Sequence, residues 1–144
     1  MTVRLIICEK SGHWAATFRR AAGSRELPIR EVRSTEQVQR ELRERPASIV
    51  AVEVSTATAA KTLTQVAAWR IHFPAAQFVL LAEPELEAIE LMLREAGAAH
   101  VVYSSRDVAA TVRLVRRHLA RCPRPELSLE VSIWAALPWS ATPG

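Results

Sequence analysis

The sequence predicts an α/β domain built on a five-stranded parallel sheet with helices on both faces. Three observations predict it. Short apolar runs alternate with amphipathic segments of helical period from residue 4 to residue 121. The first run is apolar throughout, as a strand covered on both faces requires. Capping residues, glycines and prolines punctuate the junctions.

The elements follow in order. Residues 4–8 form the first strand, continuously apolar from Leu5 to Cys8. Ser11 is the expected N-cap of the next helix, which sets Trp14, Phe18 and Ala22 at four-residue spacing and stops at Gly23. Residues 27–32 are a weak second strand carried by Leu27, Ile29 and Val32. Ser34-Thr35-Glu36-Gln37 is a capping-box signature; its helix runs through Val38 and Leu42, and Pro46 ends it. Residues 48–54 are the third strand, rich in β-branched side chains. The helix over 58–71 is expected to bury Leu63, Val66, Ala67 and Ile71 before Pro74 closes it.

The fourth strand is 77–81, and Pro84 suits the first turn of the helix that follows. That helix places Leu86, Ile89, Leu93 and Ala96 on one stripe and ends at Gly97. Residues 101–103 are the fifth strand. The last helix follows Ser104-Ser105 with Val108, Val112, Val115 and Leu119 in line. For five such units in so short a chain the expected fold is a flavodoxin-like (βα)5 doubly wound parallel sheet, order 2-1-3-4-5, plus a C-terminal extension. That order sets the first and third strands side by side. Glu9, Lys10 and Glu53, which follow them, then meet in one crevice.

Composition narrows the field. The 144 residues suit one domain, 1–122, followed by an apolar tail, 123–144. Hydrophobic residues make up 49% and charged residues 24%, as in ordinary soluble domains. A net charge of +4 is modest beside that of most nucleic-acid binders. Cys8 and Cys122 give neither a disulfide framework nor a metal spacing, so no metal and no cofactor is expected. No stretch has the length of a signal-peptide core or a membrane span. A cytoplasmic protein without membrane contact is expected.

The residues at the strand ends resemble those of bacterial response-regulator receiver domains, the CheY-like family, over residues 3 to about 121. Leu5-Ile6-Ile7-Cys8-Glu9-Lys10 is similar to the receiver's first strand, which normally ends in two magnesium-holding acids. Val50-Ala51-Val52-Glu53 is similar to the strand ending in the phospho-accepting aspartate. Phe78-Val79-Leu80-Leu81-Ala82 resembles the fourth strand, normally closed by a serine or threonine. Residues 95–104 resemble the turn and fifth strand that lead to a lysine and a cis-proline.

The departures lie in the chemistry. Lys10 replaces the second acid, Glu53 the aspartate, Leu81 or Ala82 the hydroxyl, Tyr103 the lysine and Ser104 the proline. His100 stands at the aromatic switch position. The resemblance therefore implies a degenerate pseudo-receiver. Lys10 repels a divalent cation, and without lysine or hydroxyl a transferred phosphoryl group lacks stabilisation. No Mg-dependent phosphorylation and no catalysis are expected. Glu53 is read as a strand-end residue paired with Lys10, or as an imitation of a phosphorylated aspartate with one charge where phosphate brings up to two.

The tail departs from the receiver pattern. After Pro123-Arg124-Pro125, residues 127–133 alternate strictly, and Trp134 and Trp139 follow. Such apolar content requires burial, on the chain's own domain or on another protein. In the second case Leu129, Val131, Ile133, Trp134, Leu137 and Trp139 are the expected contacts with a protein partner or a second copy.

The leading function is a stand-alone, phosphorylation-independent pseudo-receiver serving as an interaction or scaffold module in a bacterial regulatory system. Two alternatives rank below it. A nucleic-acid-binding regulator would use Arg113, Arg116, Arg117, His118, Arg121 and Arg124. A small-ligand-binding flavodoxin-like protein would use the crevice, although no glycine-rich phosphate loop appears.

Overall fold

The computed structural model describes residues 3–122. Strands β1 (Leu5–Cys8), β2 (Ile29–Val32), β3 (Ile49–Val54), β4 (Gln77–Ala82) and β5 (Ala98–Val102) form one parallel sheet in the order β2-β1-β3-β4-β5. The predicted order is the observed one. Helices α1 (His13–Ala22), α2 (Thr35–Glu44), α3 (Ala59–His72), α4 (Glu90–Glu95) and α5 (Val108–Arg121) join and flank the strands. Residues 123–144, with the tail contacts Leu129, Val131, Ile133, Trp134, Leu137 and Trp139, lie outside the described residues.

Because successive strand residues point to opposite faces, the apolar runs divide into two cores. Ile6, Val50, Val52, Phe78 and Leu80 pack against Val38 and Leu42 of α2, Val66 and Trp69 of α3 and Leu93 of α4. Leu5, Ile7, Ile49, Ala51, Val79 and Leu81 pack against Ala15 and Phe18 of α1 and Val108, Val112 and Val115 of α5. Burying each larger side chain contributes about 1.5–3 kcal/mol. Both cores therefore hold the strands in place, and their C-terminal ends are left to carry polar groups.

Three local expectations are corrected. On α3 Ile71 is 78% exposed and Ala67 is exposed, whereas Trp69 is 2% exposed. The buried face of that helix runs through Ala59, Val66 and Trp69. Ile71 lies about 200° around the axis from Trp69 and so faces away. The indole stacks on Phe78 with ring centroids 6.0 Å apart at 15°.

After β4, Pro84–Ile89 forms a 3-10 helix, so only Glu90–Glu95 is α-helical. The tighter i→i+3 turn is common at helix starts, and Leu86 and Leu93 remain buried. The fifth strand begins at Ala98, directly after Gly97 at φ +126°. Arg70 lies against this glycine; a Cβ there would stand 1.8 Å from the arginine's Cδ. The positive φ is what favours glycine here, since the exposed Arg70 side chain can move aside.

Candidate functional site

At the C-terminal ends of β3 and β4 a crevice of about 390 Å³ opens, lined by Lys10, Glu53, Leu81, Ala82, Glu83 and Tyr103 among others. Five of the strand-end residues picked out in the sequence thus share one space. Glu9 is not in its lining.

Glu9 has turned to α1 instead. It is 3% exposed, and its carboxylate accepts hydrogen bonds from the backbone N–H groups of Trp14 (2.9 Å) and Ala15 (2.7 Å). These are first-turn donors with no partner inside the helix. Gly12, at φ +83°, reverses the chain and brings the helix start over the strand end. A carboxylate there also meets the positive end of the helix dipole. Ser11, the predicted cap, accepts only from the His13 N–H at 3.3 Å. Capping therefore falls to the acid that the sequence reading placed in the crevice.

Lys10 and Glu53 are both exposed. Ion pairs among the described residues join Arg19 to Glu31, Arg30 and Arg45 to Glu41, Arg45 to Glu44, and Arg94 to Glu90. The expected Lys10–Glu53 pair is not among them. The Lys10 carbonyl accepts from the Arg33 guanidinium. In the β3–β4 register Glu53 faces Leu81 and Val54 faces Ala82. Leu81 (1% exposed) and Ala82 (3%) are both buried, so neither candidate for the hydroxyl position offers a polar atom.

Two contacts around the crevice join residues far apart in sequence; Tyr103 is a residue whose hydroxyl the sequence admits as a crevice donor, but its acceptor carries no sequence signal. The Tyr103 hydroxyl donates to Glu90 Oε1 at 2.6 Å, tying the residue after β5 to α4. Burial, reinforced by this bond, raises the phenol pKa, while the same bond lowers that of the Glu90 carboxyl. Glu83 Oε1 accepts from the Thr56 N–H at 2.7 Å, joining the loops after β3 and β4. His100 is half-buried on β5, and its Nε2 has no partner among the described residues. Burial lowers its pKa, with Arg94 adding to the effect.

No protein-family model matches the sequence, and no curated protein matches it. Solved structures do. A response regulator from Thermotoga maritima superposes with a TM-score of 0.67 at 13% identity, covering 83% of this chain and 99% of that one. The CheY-like protein TadZ from Pseudomonas aeruginosa PAO1 gives 0.67 at 13%, covering 81% and 99%. An atypical orphan response regulator, described as having a phosphorylation-independent regulatory mechanism, gives 0.67 at 15%, covering 85% and 99%. The fold is that of a receiver domain.

A receiver fold implies magnesium at the strand ends, and the residues present do not fit it. Magnesium needs oxygen ligands free to coordinate, typically carboxylates. Glu9 is turned to α1 and does not line the crevice, Lys10 places a cation there, and Leu81 and Ala82 add no oxygen. Among the described residues no three His, Cys, Asp or Glu side chains gather as metal ligands. Cys8 is buried, and desolvation, with Glu53 adding to it, raises its pKa, which makes a poor nucleophile.

The basic residues of α5 are partly committed to the receiver fold itself. Arg116 donates to the carbonyls of Ala22 and Arg25, each at 2.9 Å, closing the C-terminal end of α1. His118 Nε2 lies 2.6 Å from the Ala47 carbonyl. Arg113, Arg117 and Arg121 remain exposed. Among the described residues no helix is long and apolar enough to cross a membrane.

Proposed function

We propose that this chain is a phosphorylation-independent pseudo-receiver that acts through protein contact, with its strand-end region held in one conformation by its own hydrogen bonds. The observation that carries the reading is the position of Glu9. The acid that a phosphorylatable receiver fold would present to magnesium is occupied by two backbone donors of α1. Support comes from two bridges at the crevice. Glu83–Thr56 joins the loops after β3 and β4, and Tyr103–Glu90 ties the end of β5 to α4. The neighbouring orphan regulator with a phosphorylation-independent mechanism is of the same fold.

The partner is a protein, engaged through Leu129, Val131, Ile133, Trp134, Leu137 and Trp139 of the tail. Incubation with acetyl phosphate and Mg²⁺ followed by intact-mass measurement tests the first half: the mass stays unchanged, and a phosphoryl adduct refutes the reading. The second half predicts that Trp134→Ala with Trp139→Ala, in the full chain, abolishes capture of the partner while thermal unfolding stays as in the wild type. Capture undiminished by the double change refutes the assignment. The nucleic-acid alternative loses support, because Arg116 and His118 are spent on backbone carbonyls.

A further inference from the structure

A second cavity, about 340 Å³, opens where β1, β3, α2 and α3 meet. It lies at the switch point of the sheet, where the chain leaves β1 for one side and β3 for the other, the usual ligand crevice of open α/β sheets. Cys8, Val52 and Trp69 contribute to its wall and are 9%, 5% and 2% exposed, which makes its depth apolar. Lys10, Arg33 and Lys61, all exposed, form its rim. Lys10 and Lys61 are the only lysines in the chain. Neither has a carboxylate within ion-pair distance among the described residues.

The carboxylates of the rim, Glu36 and Glu53, leave a net charge of +1 when set against the three cations (3 − 2 = 1). The Glu36 carboxyl is held below its usual range by its own backbone N–H and the Ser34 hydroxyl, with the Lys61 charge adding to the effect, so Glu36 is the carboxylate an incoming anion competes with at Lys61. A third feature is the indole of Trp69. Its Nε1–H is sealed from solvent and has no acceptor among the described residues. An unsatisfied buried donor costs about 1–3 kcal/mol unless something accepts from it.

We infer that this cavity binds a small organic anion, a single phosphate or carboxylate head on a flat apolar body. The head pairs with Lys61 and Lys10 at the rim, and the body enters between Val52 and Trp69. A slight opening of the wall lets the Trp69 N–H reach an acceptor on the ligand. The volume suits a molecule of mononucleotide size or smaller, at the low end of small-molecule pockets. A bare inorganic anion would satisfy the rim and leave the apolar depth unused.

The test is a titration of the ¹⁵N-labelled full chain, followed at the Trp69 indole N–H signal, which is assigned by its loss in Trp69→Phe. The probes are adenosine 5′-monophosphate, benzoate and inorganic phosphate, each taken to millimolar concentration. The expected result is a saturable shift with adenosine 5′-monophosphate, marking a phosphate-headed ligand, or with benzoate, marking a carboxylate-headed one. Lys61→Ala then weakens the active probe about tenfold. Lys61 is exposed and lines only this cavity of the two, so the variant leaves the strand-end crevice unchanged. The inference is overturned if neither organic probe moves the signal, if Lys61→Ala binds as the wild type does, or if inorganic phosphate binds as tightly as the organic probes.

Discussion

Replacing Glu9 by alanine tests the central geometric claim. The side chain is 3% exposed and holds two backbone donors at 2.9 and 2.7 Å. A hydrogen bond to a charged group contributes about 1.5–3 kcal/mol, and loss of a helix cap costs about 0.5–2 kcal/mol. The two bonds share one carboxylate, and water entering the emptied site would satisfy part of what is lost. The estimates therefore overlap and do not add. The expected destabilisation is about 2–3 kcal/mol for Glu9→Ala. Glu9→Gln keeps one acceptor but turns its amide N–H toward the second donor and removes the charge, so about 1–2 kcal/mol is expected.

Urea unfolding measures both values by linear extrapolation, with the slope unchanged because the surface exposed on unfolding is unchanged. In a thermal scan alanine lowers the midpoint by roughly 8–12 °C, at about 4 °C per kcal/mol for a domain of this size. Millimolar Mg²⁺ leaves every midpoint where it was. A loss below about 0.5 kcal/mol for Glu9→Ala would show that the cap contributes nothing beyond an ordinary surface contact. Stabilisation of the wild type by Mg²⁺, absent from Glu9→Ala, would make the carboxylate a metal ligand and refute the reasoning.

Three further outcomes are expected. Trp69→Ala destabilises by about 3–5 kcal/mol, whereas Ile71→Ala stays within about 0.5 kcal/mol, a contrast that urea unfolding resolves. Arg116→Ala costs about 1–2 kcal/mol through the two carbonyls it leaves; the loss changes little with added salt, because its partners carry no net charge. His100 is lowered from 6.5 by burial, so the unfolded chain takes up the proton more readily. Its contribution is full above pH 6.5 and falls as pH drops through that value toward the folded one. His100→Phe removes this fall, so unfolding curves at about pH 7 and about pH 5 should show a smaller acid loss in the variant than in the wild type.

The fold was legible because its signal is periodic and many residues repeat it. The run Leu5 to Cys8, the stripes of α2 and α5 and the glycine before β5 each point to the same sheet. The error on α3 was one of rotation, because Leu63, Val66, Ala67 and Ile71 are helically spaced as well, and periodicity alone admits either face. Ile71 is more apolar than Trp69 by common scales, yet the helical angle decides which of them enters the core, and only the indole lies on the Val66 face. Glu9 was misplaced for a different reason. Its position at a strand end is visible in the sequence, but its direction depends on Gly12 reversing the chain. The Tyr103–Glu90 and Glu83–Thr56 bonds join residues 13 and 27 positions apart, and no local pattern announces either.

The strand-end residues differ in what the fold asks of them. Glu53 and Lys10 are exposed and take part in no ion pair among the described residues, so either can change with little effect on the packed sheet. Glu9 is buried and caps a helix whose Phe18 and Ala15 sit in the core, so its acid is fixed by folding whether or not a metal ever binds. An acid at the end of β1 is therefore no sign of a phosphorylation site in this chain. The two cavities differ in a similar way. Tyr103 and Glu83 of the first cavity spend polar atoms on Glu90 and Thr56, whereas Lys61 lines only the second, beside the wall that Val52 and Trp69 supply. The proposed ligand site is therefore the second, where Lys10 and Lys61 stand at the rim of a wall whose apolar residues belong to the core.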